Sequence, residues 1–168
     1  MCPNEAKSDD NLWGIGAFSL LNNIPLEKGI YLIIYKVIRD FNCIINNKFY
    51  VFNRGYLIYI GSAGNGLRNR LKRHINKEGK LRWHIDYISH REETEVVALF
   101  YREGDFGVKF EDELSHYFYS KIKHIDRLGS TDSMMPHLYY SKELDIILDI
   151  LGKLNGKIII FSKIFEKT

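Results

Sequence analysis

Gly55-Tyr-Leu-Ile-Tyr-Ile-Gly-Ser-Ala-Gly-Asn-Gly-Leu-Arg-Asn-Arg-Leu-Lys-Arg-His74 is the stretch whose reading decides the fold. Tyr56 to Ile60 is aromatic and aliphatic, with the β-branched Ile58 and Ile60, which suits a strand. Gly61, Gly64 and Gly66 then break the pattern and mark a turn where backbone bends or comes close to something. From Leu67 a helical period takes over. Leu67, Leu71 and Ile75 share one stripe, and Arg70, Arg73, His74 and Lys77 share the stripe beside it. A strand thus delivers Tyr59 and a tight turn to the start of a helix with a cationic flank. Such a layout can hold a phosphate group against several donors at once.

Working outward, Gly29 to Ile38 is almost entirely aliphatic or aromatic and reads as a central strand buried on both faces. Cys43 to Phe52 offers two strand segments around Asn46-Asn47, a hairpin turn. Trp83 to Ser89 alternates like a strand but is also compatible with a helical turn. Glu95 to Tyr101 is a further strand. Phe110, Leu114, Tyr117, Phe118, Ile122 and Ile125 mark an amphipathic helix. Ser141 is the expected N-cap of a last helix carrying Leu144, Ile147, Leu148 and Leu151, and Lys157 to Phe161 reads as an edge strand. The sum is an α+β domain with a central, largely antiparallel sheet flanked by helices. The expected organisation is an N-terminal extension over 1–27, a domain core over 28–140, and a C-terminal helix and edge strand of the same domain over 141–168.

The 168 residues suffice for one domain with a sizeable core. A net charge of +3 alone says little about partners, but its distribution says more. Between Gly64 and Arg82 lie seven cations (Arg68, Arg70, Lys72, Arg73, Lys77, Lys80 and Arg82) opposed only by Glu78. That excess is the footprint expected for a polyanion, although a solvated helix face has the same composition. Cys2 and Cys43 form no metal-binding spacing. The acidic, polar start and the lack of a long apolar run lead to the expectation of a soluble, cytoplasmic protein with no membrane partner.

Gly29-Ile30-Tyr31, Tyr59-Ile60-Gly61, Arg70 and His74 together resemble the GIY-YIG nuclease family. Over Gly29 to about Tyr140 the chain is similar to a group of small stand-alone GIY-YIG-like proteins of poorly defined function. Gly61-Ser62-Ala63, Arg82-Trp83-His84-Ile85-Asp86-Tyr87 and Gly129-Ser130-Thr131-Asp132 carry that likeness. The inserted hairpin over Cys43 to Phe52 lengthens the spacing between the two motifs. The resemblance implies a GIY-YIG-like sheet and a metal-dependent endonuclease, with Tyr31 and Tyr59 as site tyrosines, Arg70 gripping the phosphate and His74 beside it. It also implies one metal-binding glutamate on a later helix; of Glu111 and Glu113, Glu111 lies nearer the apolar stripe and is chosen. The ion would be Mg²⁺ or Mn²⁺.

On this reading the domain hydrolyses phosphodiester bonds in nucleic acid, with DNA as the expected substrate. Arg68, Lys72, Arg73 and Lys77 are the expected contacts to flanking phosphates, and targeting falls to nucleic-acid structure or a partner protein. Two alternatives stay open: a non-catalytic nucleic-acid-binding module with the same fold, and a protein-interaction scaffold.

Overall fold

A computed structural model describes residues 20–105, 107–125, 128 and 135–161. Strand β1 (Gly29–Val37) lies inside a six-stranded antiparallel sheet beside β4 (Gly55–Ala63) and β5 (Thr94–Glu103). Its composition explains the position, because every residue but Lys36 is buried. β7 (Leu138–Ser141) and the short β6 (Lys123–His124) extend the sheet beyond β4, and β8 (Lys157–Ile160) closes the other edge against β5.

Each face of the sheet has its own core. Tyr31, Ile33, Tyr35, Leu57, Tyr59 and Leu99 pack against helix α1 (Leu67–Ile75) and the short helix α2 (Asp86–Ser89). Ile30, Leu32, Ile34, Ile58, Ile60 and Phe100 pack against α3 (Gly107–Tyr119) and α4 (Leu144–Gly152). This is an α+β domain of the expected kind. Strands β2 (Phe41–Ile45) and β3 (Lys48–Phe52) form a separate hairpin. Its turn residues Asn46 and Asn47 both take left-handed φ, 49° and 60°, which asparagine tolerates well. No helix among the described residues is long and apolar enough to cross a membrane.

Three expectations change. The helix that begins near Phe110 stops at Tyr119 instead of running on to Ile125, and the next residues cross into β6. β7 had no counterpart in the sequence reading. Ser141 ends that strand and bonds Glu143, so it does not cap α4; the N-cap is Glu143, without a side-chain bond. Of the N-terminal extension, Leu21 and Ile24 join the core beneath α1. The Gly129 to Asp132 stretch lies outside the described residues.

Gly61 shows how tightly β4 meets β1. It sits opposite Tyr31, and a β-carbon there would lie 2.5 Å from the phenol oxygen and from Cζ. Both strands are interior, so neither can retreat. Gly61→Ala is therefore expected to lower unfolding free energy in urea by about 1–3 kcal/mol. Gly64→Ala adds a methyl that meets nothing within 4 Å and is expected to change stability by less than about 0.5 kcal/mol.

Candidate active site

Tyr31 leaves the sheet near the start of β1, Tyr59 stands two residues before Gly61 on β4, and α1 crosses above them. The helical period puts Arg70 and His74 one turn apart on the side of α1 that faces these rings. Arg70 Nε donates to Tyr31 Oη at 3.2 Å, and the same hydroxyl shares a 3.1 Å hydrogen bond with His74 Nε2. The rings of Tyr31, Tyr59 and His74 form a triangle with centroids 6.2, 5.7 and 5.9 Å apart. The four residues that the sequence reading grouped are thus brought together.

The burial of Tyr31 follows from its place in an interior strand, but that of His74 was not foreseen. Tyr31 is 0% exposed and His74 1% exposed, so the partly exposed Arg70 is the member that meets an incoming ligand first. Burial sets the electrostatics. It pushes the Tyr31 phenol up despite the pull of Arg70, and it raises Tyr59 well above the ordinary range, with Tyr31 adding to the effect. His74 is brought down to about 3, first by burial and then by the Arg70 charge. At neutral pH His74 is an uncharged imidazole, placed to orient Tyr31 and too deep to touch a phosphate itself. For Arg70, burial opposes the charge, but Tyr31, Tyr59 and Asp86 outweigh it and hold the guanidinium protonated.

Glu111 comes from α3 on the opposite face of the sheet. Its side chain is 11% exposed, and its charge is close enough to act on both Tyr31 and Tyr59. His137 Nδ1 stands 3.9 Å from Glu111 Oε2, while His137 Nε2 stands 3.4 Å from Asp112 Oδ1. Glu113 is exposed to solvent. Among the described residues no group of three or more His, Cys, Asp or Glu side chains is placed to hold a metal ion. A single carboxylate such as Glu111 could contribute one ligand to a hydrated cation, whose other ligands would come from water and phosphate.

The basic flank is used differently from its expected role. Arg73 Nη2 pairs with the fully buried Asp86 at 2.6 Å and donates to Lys80 O at 2.9 Å. Lys77 Nζ donates to the carbonyls of Arg91 and Thr94, and burial lowers its pKa. Arg68 Nε donates to Ile24 O at 2.6 Å, and Lys72 Nζ reaches Asn22 Oδ1 at 3.2 Å. The start of α1 is occupied too, because the amides of Leu67 and Arg68 donate to Glu27 O and Pro25 O. The glycine turn is thus closed by the chain ahead of β1, and the helix end is not open to a phosphate.

Trp83 is the residue that the sequence reading assigned no part in this site. Arg70 Cζ lies 5.3 Å from the centre of its ring, a cation–π contact. Asp86 builds a buried polar network beside it, accepting from the amides of Arg82 and Trp83 as well as from Arg73. His84 turns away from it to Asn46 of the hairpin.

The family model for the domain of unknown function DUF123 matches residues 30–158. The chain belongs to the DUF123 family. No curated protein and no solved structure matches it. This corrects the resemblance to the GIY-YIG nucleases, since no model of that family matches. The likeness rested on two tripeptides and a few scattered positions, whereas the DUF123 match spans the whole sheet from β1 into β8. Nothing in the site can therefore be carried over from those nucleases, and its chemistry has to be argued from this DUF123 domain alone.

The His74 environment gives a pH test. With the folded value near 3 and the ordinary value 6.5, the unfolded chain binds a proton in between that the folded domain refuses. Stability from this site is complete above about pH 6.5 and falls as pH drops toward 3, by up to about 1.4 kcal/mol per pH unit. Thermal unfolding of His74→Gln is expected to show a shallower loss between pH 7 and 5 than the wild type. Some slope remains, since burial also lowers His84.

Proposed function

We propose that this DUF123 domain hydrolyses phosphodiester bonds in nucleic acid, with DNA as substrate, a divalent metal as cofactor and the cytoplasm as its location. The observation that carries the reading is one buried phenol shared by an arginine and a neutral histidine, with a nearly buried glutamate acting on the same tyrosines. Core packing requires no such set: a phenylalanine at position 31 would fill the space without needing two polar partners.

Hydrolysis breaks one P–O bond while water attacks phosphorus, so charge builds on the phosphoryl oxygens and the water sheds a proton. Arg70 stays protonated, and no described hydrogen bond uses its Nη groups, which leaves a two-pronged donor for phosphate. The bound anion offsets the Arg70 charge that helps to hold the His74 pKa down, so His74 becomes a better proton acceptor once phosphate is in place. Tyr31 Oη then takes the proton of the attacking water while passing its own to His74 Nε2, and no isolated phenolate forms. The leaving oxygen is protonated from solvent. Glu111 would hold a hydrated Mg²⁺ or Mn²⁺, which supplies positive charge to the phosphoryl oxygens and acidifies bound water. Lys72, whose partner among the described residues is Asn22 at the surface, would be the flanking cation to reach a neighbouring phosphate.

A second reading, binding without turnover, draws on one observation: Tyr31 is 0% exposed, so water reaches its oxygen only if Arg70 shifts. Cleavage of supercoiled, single-stranded and branched DNA with Mg²⁺ or Mn²⁺ separates the two. The wild type is expected to nick DNA and to stop when the metal is chelated. Arg70→Ala and Glu111→Gln are each expected to lose about 100-fold or more of that rate. DNA binding that falls with salt, without any cleavage, would establish the binding module instead. Absence of both would refute the proposal.

A further inference from the structure

Lys80, Leu81, Arg82 and Trp83 form a continuous exposed stretch between α1 and α2, and the indole is 45% exposed. A large aromatic side chain left in water is normally held loosely. Trp83 is held on three sides. Its amide and that of Arg82 donate to Asp86 Oδ2 at 2.9 and 2.8 Å, and this carboxylate is itself fully buried and paired with Arg73. Burial works against the charge of Asp86, but the two amides and Arg73 outweigh it and keep the carboxyl below its ordinary range. The neighbouring His84 ties the loop to the tip of the β2–β3 hairpin through Asn46 at 2.6 Å. The Arg70 guanidinium lies over the indole ring.

An exposed indole on a fixed loop, flanked by the exposed cations Lys80 and Arg82 and touching the arginine of the site, is an arrangement for stacking on a base beside a bound phosphate. We propose that Trp83 is a nucleobase-stacking platform that selects single-stranded or unpaired nucleotides, placing the base next to the phosphate held by Arg70. This deepens the phosphodiester reading and rests on it. The fixed loop matters because a platform already ordered loses little freedom when a base lands on it. Paired bases in a duplex are covered by their neighbours, so the same contact there requires a base to be unstacked first.

Metal-free binding measurements test this with a short oligothymidylate, the matching abasic oligonucleotide and a duplex of the same length. The wild type is expected to bind the oligothymidylate about 10-fold or more tighter than the abasic strand, in line with one stacked base. It is also expected to favour the oligothymidylate over the duplex. Trp83→Ala is expected to remove the preference over the abasic strand, and Trp83→Phe to keep part of it. If the wild type binds base-bearing and abasic strands equally, and Arg70→Ala weakens both, the stacking role is overturned while the phosphate site stands. If the wild type binds none of the three, the nucleic-acid reading itself falls, and the platform with it.

Discussion

A phenol oxygen buried in a sheet core is costly to leave without a partner, and Tyr31 finds two on helix α1. That need helps to fix the helix over the sheet, alongside its apolar stripe. Leu67, Leu71 and Ile75 supply the packing, while Arg70 and His74 set the rotation of α1 about its axis. Gly61 belongs to the same constraint, because only a residue without a β-carbon lets the Tyr31 ring lie flat against β4. The polar cluster is therefore a structural joint and a candidate site at once, and its electrostatics follow from its depth. A neutral histidine under a charged arginine is stable only because the imidazole gives up its proton.

A second polar joint lies one turn away. Arg73 and Asp86 join α1 to α2, and the same carboxylate holds the backbone of the Trp83 loop. Truncating one partner of such a pair leaves an uncompensated buried charge, so α1, α2 and the loop behave as a unit. This accounts for the fate of the basic run between Gly64 and Arg82. Arg73 and Lys77 serve the fold, Arg68 and Lys72 bind the chain before β1, and the exposed cations left beside Trp83 are Lys80 and Arg82.

Much of this was legible in the sequence, for definite reasons. The apolar run at Gly29 to Ile38 has the composition of an interior strand, and Asn46-Asn47 has the backbone tolerance a hairpin turn needs. Helical spacing brought Arg70 and His74 together, whereas their grouping with Tyr31 and Tyr59 came only from the resemblance to the nuclease family. Other features could not be read. Periodicity shows that His74 lies beside the apolar stripe, but not that neighbouring elements cover it. Charge counts do not reveal which lysines and arginines find carbonyl or carboxylate partners in distant segments. β7 was missed because a run of four residues carries too little pattern, and its place is set by pairing with β4. The family likeness rested on short motifs, and the family model that matches over residues 30–158 is that of DUF123.

The central claim is that burial, reinforced by the Arg70 charge, keeps His74 neutral and that a bound anion raises its pKa. The most direct test is a pH titration of the His74 ring by nuclear magnetic resonance, with and without a short single-stranded oligonucleotide. The account predicts a free-protein midpoint near 3 that moves upward when the oligonucleotide binds. A midpoint near the ordinary histidine value, unchanged by the oligonucleotide, would contradict it.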